Sequence, residues 1–149
     1  MRTASVAVTG FLCLSILLCS GCRDSSTPPP LTKIHLLNIN LAYSNFCDTN
    51  GRPPSNFDEL EPFVVGTVFP ESRRKREEET LRELRDGKYV VIWNQKGAFG
   101  ARQGTEVLVA YEQQTPERGG FVVFADGRVQ RMSPEELERA TQGNDQAER

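Results

Sequence analysis

Chemistry on a protein needs a nucleophile, a group that titrates near neutrality or a cluster of ligands, and this chain offers little of any. It has one histidine, His35, and four cysteines, at positions 13, 19, 22 and 47. A general base or a metal ligand works only with partners. His35, set toward the Ile39 and Phe46 side of an apolar stretch, reads as a packed side chain. Asp48, Asn50, Asp58 and Glu59 carry oxygens of the kind calcium takes. They lack the spacing and closing glutamate of an EF-hand loop, and capping and turn duty suits them better. Gly97, Gly100 and Gly104 do not form the dinucleotide fingerprint and do not lie between a strand and a helix. There is no nucleophile elbow and no phosphate loop, so the expectation is a non-enzyme with no catalytic, cofactor-binding or metal-ligating residue. A carboxylate pair brought together by folding is the one catalytic route the pattern leaves open.

The cysteine with a distinctive setting is Cys22. Arg2 precedes an apolar run from Val6 to Leu18 that is too short and too poorly flanked for an ordinary membrane span, and it reads as an export signal. The run ends in Leu18-Cys19-Ser20-Gly21-Cys22, which resembles the bacterial lipobox, where small residues precede a cysteine that is acylated and becomes the new N-terminus. Ser20 and Gly21 fit, whereas Cys19 stands where leucine is usual. The resemblance implies a signal peptide over residues 1–21, lipid attachment at Cys22 and an exported chain anchored to a cell-envelope membrane through that lipid. Cleavage by an ordinary signal peptidase and an uncleaved anchor are the other outcomes. With lipidation, Cys13 and Cys19 leave with the signal, and Cys47 is the only thiol left. No intrachain disulfide can then staple the domain. Cys47 is read as buried and inert, the alternative being a bond between chains.

The 149 residues, 38% apolar and 26% charged, describe one small globular domain. A net charge of −2 argues against nucleic acid as a partner. Residues 22–31 are polar and end in Pro28-Pro29-Pro30, a linker that cannot build a core.

The elements that would position side chains follow from periodicity and punctuation. Thr32 to Cys47 fits strand alternation (Leu37, Ile39, Leu41, Tyr43) as well as helical spacing (Leu36, Ile39, Tyr43, Phe46); length favours helix, with Thr32 as its cap. Ser55 caps a short helix after the Gly51-Arg52-Pro53-Pro54 break. Pro62 to Pro70 reads as extended. Glu71 to Arg85 reads as a charged helix stopped by Gly87, with Glu78 reaching Arg82 and only Leu81 and Leu84 able to bury. Its basic run, Arg73 to Arg76, is answered by Glu77 to Glu79 and reads as a solvated face. Tyr89 to Trp93 and Glu106 to Tyr111 are strands joined by a flexible connector over 96–104, and Gln113 to Gly120 is a loop. Asp126-Gly127 turns a hairpin between Phe121–Phe124, apolar throughout and so a central strand, and the half-exposed Val129–Met132. Both turn positions are expected at positive φ. Ser133-Pro134-Glu135-Glu136 then opens a helix through about Thr141. The fold class is α+β: an N-terminal helix packed on a small antiparallel sheet of about four strands, with a short C-terminal helix. The domain spans 32–142, and 143–149 is a disordered tail.

Two stretches resemble a known family. Asn40 to Tyr43 with Thr49 to Leu60 is similar to the end of the long helix and the following turn of type II secretion pseudopilins, and of pilin-like proteins of planctomycete-type bacteria. Gly119 to Val129 resembles the closing hairpin of the latter. The resemblance implies helix over Thr32 to Cys47 and a pseudopilin-like domain. A lipobox and a proline spacer stand where that family has its prepilin site and polymerising helix, and Pro116 stands where the planctomycete group has a histidine. Calcium ligands of the major pseudopilins have no counterpart. The implied function is a membrane-anchored envelope lipoprotein whose non-catalytic domain contacts envelope or secretion proteins. The alternative is a pseudopilin-like subunit of a type II secretion or pilus-like assembly, and self-association is left open.

Overall fold

The computed structural model describes residues 30–66, 71–95 and 106–146. Cys22 with the whole signal-like segment, the polar linker up to Pro29, residues 67–70 of the segment expected as extended, the 96–104 connector and residues 147–149 of the tail lie outside the described residues.

The first helix, α1 (Leu31–Asn50), buries Leu36, Ile39, Ala42, Tyr43, Phe46 and Cys47, the set that follows helical rather than strand spacing. It starts one residue earlier than expected. Pro30 occupies the N-cap and no side chain caps the end, so Thr32 lies inside the first turn and is not the cap. Gly51, at φ 68°, closes the other end by donating its N–H to the Cys47 carbonyl.

In α2 (Phe57–Val64) the cap is Asn56, not Ser55: the Glu59 N–H donates to Asn56 Oδ1 at 3.0 Å. The helix continues through Pro62 to Val64, so the first part of the segment expected as extended is helical. Pro62 lacks the N–H that would reach the Asp58 carbonyl, and burial of Leu60 and Val64, one turn apart, offsets the loss.

α3 (Glu71–Arg85) has the expected bounds and ends against Gly87 at φ 72°. Its inner face differs from expectation. Glu77 and Thr80 are buried alongside Leu84, while Leu81 is only partly so. Glu77 is matched by the Gly66 N–H at 3.2 Å and by Arg73 at 3.6 Å. Thr80 donates to the Arg76 carbonyl and accepts from Asn38 of α1. Arg82 pairs with Glu79 at 3.7 Å rather than with Glu78.

The sheet is an antiparallel meander, β1-β2-β3-β4, of strands β1 (Tyr89–Val91), β2 (Leu108–Glu112), β3 (Gly120–Phe124) and β4 (Val129–Met132). β3 is interior and almost wholly buried, and β4 is a half-exposed edge. Both early strands are displaced from expectation. β1 stops at Val91, with Ile92 still donating to the Val109 carbonyl, and β2 runs from Leu108 to Glu112. A bulge between Leu108 and Ala110 shifts the register by one residue, which sends both Val109 and Ala110 toward α1. The stretch expected as a loop contains a short helix, α4 (Thr115–Arg118).

The hairpin turns with Gly127 alone at positive φ, 84°. The Gly127 N–H donates to the Phe124 carbonyl and the Phe124 N–H to the Arg128 carbonyl, the pattern of a three-residue loop in which only the last residue is left-handed. Asp126 instead accepts from the Arg128 N–H at 2.9 Å. A reciprocal capping box opens α5 (Pro134–Gln146): the Glu136 N–H donates to Ser133 Oγ and the Ser133 N–H to Glu136 Oε2. α5 continues past Thr141 to Gln146, into the stretch expected as tail.

The sheet separates two apolar clusters. Leu36, Ile39, Tyr43 and Cys47 of α1 pack with Leu60, Leu84, Val91, Val109, Ala110 and Val123 on one face. Leu108, Val122, Phe124 and Leu137 of α5 pack on the other. The fold is α+β, with α1 and α5 on opposite faces of the four-stranded sheet.

Gly119, between α4 and β3, has φ 71° and ψ 157°, and a Cβ there would lie 2.7 Å from the Met132 carbonyl oxygen. Gly51 is also left-handed, but a Cβ there would meet nothing within 4 Å. Gly119→Ala is predicted to lower unfolding stability by about 2–3 kcal/mol and Gly51→Ala by about 1 kcal/mol in denaturant titrations. Equal losses would contradict the close approach of β4 to this corner.

Candidate functional site

The titratable side chains that the fold brings together gather where the start of α1 crosses the start of β1. Tyr89 and Glu112 are cross-strand partners, so their side chains rise from the same face of the sheet, the face α1 covers. Lys88 follows the left-handed Gly87, which turns its ammonium back to within 2.6 Å of Glu83 on α3. With Thr32 these residues line a recess of about 270 Å³.

His35 does not line the recess but is buried against Tyr89, which does. Its Nδ1 and the Tyr89 hydroxyl share a hydrogen bond of 3.0 Å, and the rings meet edge to face at 5.8 Å. Burial holds the histidine pKa below its usual 6.5, against the opposing pull of Glu79 and Glu83. Burial also pushes Tyr89 up to about 12, although a hydrogen bond with Thr32 works the other way. The Lys88 ammonium keeps the Glu83 carboxyl below its usual value. Glu112 accepts the Phe121 N–H at 2.6 Å. At neutral pH a neutral histidine is therefore bonded to a protonated tyrosine, beside the Lys88–Glu83 ion pair and a Glu112 side chain engaged with the backbone. This is a bonding pattern that holds α1, α3 and the sheet together. Two carboxylates, Glu83 and Glu112, do line one recess, the arrangement the sequence left open, but each has its own partner.

The opposite face of the sheet has a different character. Between α5 and the outer side of β1 and β2 lie two adjoining recesses of about 380 Å³ each, which share Tyr111 and Thr141. One is walled by Val90, Ile92 and Trp93, the other by Pro116, Pro134 and Leu137. Together they form a groove that is mainly apolar in the half beside Pro116 and Leu137 and of mixed character beside β1, where Gln95 also lines it.

The remaining residues singled out in the sequence are dispersed. Glu59 accepts from both Arg52 nitrogens and from the Ser55 N–H and hydroxyl, and the Arg52 bond, followed by the Ser55 N–H, brings its pKa down to about 2. Asn50 donates to the Phe46 carbonyl, and Asp48 and Asp58 are exposed. Among the described residues, no three His, Cys, Asp or Glu side chains are grouped so as to hold a metal ion. Cys47 is buried, and its thiol pKa is raised by burial and then by Asp48, so the thiolate is disfavoured. Asp126 and Gly127 form the hairpin tip, which leans on Asn40 of α1. Tyr89, Glu112 and the groove residues escaped sequence reasoning, because His35 and Tyr89 are 54 residues apart and only the strand register joins Tyr89 to Glu112.

No family model, curated protein or solved structure matches the chain.

A histidine buried neutral, with its folded pKa below 6.5, binds protons less readily than in the unfolded chain. Its contribution to stability is complete above about pH 6.5 and is lost as pH falls through the folded value. Thermal unfolding of His35→Phe compared with wild type is predicted to show that acid-side loss only in wild type. A difference between the two that stays constant from pH 7.5 to pH 5 would remove His35 from the account.

Proposed function

We propose that this chain is an exported lipoprotein, held to a cell-envelope membrane by acyl groups on Cys22, whose pseudopilin-like domain binds other envelope or secretion proteins without catalysing a reaction. The tether rests on the export signal and the lipobox-like Leu18 to Cys22. The pseudopilin-like reading rests on the stretches Asn40–Leu60 and Gly119–Val129, together with a long first helix laid across an antiparallel sheet.

The observation that carries the choice of binding over catalysis is the contrast between the two faces. The polar groups around His35 are engaged with one another or with backbone, whereas the groove beside α5 leaves Ile92 and Tyr111 only half-covered at the edge of their cluster. Partly covered apolar side chains beside a concave surface are the usual raw material of protein contacts. Function read from likeness of form is associational, and the tests are correspondingly direct.

Intact mass and membrane fractionation of the chain expressed in a bacterial host, beside Cys22→Ala, address the tether. A diacyl or triacyl mass increment on Cys22, lost in the variant, is the expected result. An unmodified cysteine would sink this part of the proposal. Thr141 lines both halves of the groove, and among the described residues its hydroxyl bonds to carbonyls of its own helix, so Thr141→Arg fills the groove without opening the core. Crosslinking in cells followed by purification is predicted to recover specific envelope proteins with wild type and several-fold less of them with Thr141→Arg. Recovery of nothing beyond bulk lipoproteins would count heavily against the binding reading.

A further inference from the structure

The large apolar side chains most exposed among the described residues all belong to one helix. Leu31, Leu37 and Leu41 of α1 are 61%, 44% and 38% exposed. With the half-buried Ile34 they fall within about a third of the helix circumference, at 100° per residue. This arc faces away from the sheet, because the opposite arc, Leu36, Ile39 and Tyr43, is the core seam. α1 is thus apolar on both sides, and among the described residues neither core cluster includes the outer one.

Charge along the helix is equally uneven. From Leu31 to Cys47 there is no aspartate or glutamate, in a chain that carries 20, and Lys33 is the only lysine or arginine. Its ammonium lies 5.1 Å from the Phe121 ring, beside the arc. Acidic side chains return only at Asp48, at the far end of the helix. No helix among the described residues is long and apolar enough to cross a membrane, so the arc can lie on a lipid surface but not span one. Four part-exposed aliphatic side chains also fall well short of the roughly 800 Å² per partner that a stable protein interface buries.

The site of attachment brings the arc to that surface. The eight residues from Cys22 to Pro29 reach at most about 30 Å even when fully stretched, and they join the chain at the end of α1 where Leu31 is most exposed.

We propose that the outer arc of α1, Leu31, Ile34, Leu37 and Leu41, is a membrane-docking face that lays the domain against an anionic lipid surface. The inference rests on the reading of Cys22 as a lipid anchor. The acyl groups on Cys22 hold the chain to the surface but do not fix how the domain lies on it, and a short apolar face beside them supplies a further contact that sets the orientation of the domain. Lying on α1, the domain turns the groove beside α5 away from the lipid and toward other proteins, because the two helices occupy opposite faces of the sheet.

The test uses the exported full chain, with the mass at Cys22 read first, in vesicles of phosphatidylethanolamine and phosphatidylglycerol doped with lipids bearing a nitroxide near the top of the acyl chain. An environment-sensitive fluorophore is placed on Leu37→Cys and, as reference, on Gln142→Cys of α5, which is exposed. Quenching at position 37 about threefold or more above that at 142, brought back toward the reference by Leu41→Asp, is the expected result. Equal, weak quenching at both positions on the acylated chain overturns the docking face while leaving the tether intact. A label at 37 that is shielded from water yet unquenched, with disulfide crosslinks between two Leu37→Cys chains, assigns the arc to a second copy and also overturns the proposal. If Cys22 carries no lipid, the tether reading fails on its own, and the same vesicles added to the unmodified chain still decide the docking face by whether position 37 is quenched.

Discussion

The domain depends on one seam, where Leu36, Ile39, Tyr43 and Cys47 of α1 meet Val91, Val109, Ala110 and Val123 of the sheet. Small domains are stable by about 5–15 kcal/mol, and truncating one fully buried leucine or isoleucine costs about 2–5 kcal/mol. Leu36 and Ile39 are both wholly inaccessible, so loss of two such side chains would consume most of the stability. Cys47 is a free thiol, so within the described residues no disulfide shares this duty. Stability rests on packing, and α1 has to be present and in register for the sheet to hold.

Several features that look local serve this seam. The bulge at Leu108 to Ala110 breaks the alternation of β2 and gives α1 two successive small or branched side chains to rest on. Tyr43 reaches from the middle of α1 to accept the Gln95 N–H at 3.1 Å, and the Asn94 N–H donates to the Pro54 carbonyl, so the exit of β1 is fixed to α1 and to the turn that follows it. The His35–Tyr89 bond and the Asn38–Thr80 bond hold the N-terminal half of the helix to β1 and α3. Among the described residues, buried Asn40 Oδ1 and Thr115 Oγ1 have no hydrogen-bond partner.

What sequence could disclose follows the range of the interactions. Local signals carried well: Ser133 with Glu136, and Gly51 and Gly87 as stops, depend on neighbours a few residues away. The misreadings share a cause in tertiary contact. Glu77 buries because Gly66 and Arg73 satisfy it, Pro62 stays helical because Leu60 and Val64 are buried, and β2 shifts because its register is set by β1 and β3. The Asp126-Gly127 turn was visible but its type was not, since Ala125 joins the loop and packs against the α1 cluster. The recess at His35 was illegible for the same reason, as its members come from α1, α3, β1 and β2. The outer arc of α1 was visible only as a helix apolar at too many positions; which leucines remain outside requires knowing which face meets the sheet.

α1 is a structural helix first, with a second face left over for contact. Native-state hydrogen exchange on the full chain tests that directly. Amides from Leu36 to Cys47 are predicted to exchange only through global unfolding, with the same opening free energy as Val109 and Val122 to Phe124. Exchange of α1 well ahead of the sheet would show a helix that detaches while the rest stays folded, and would contradict the seam on which this account is built.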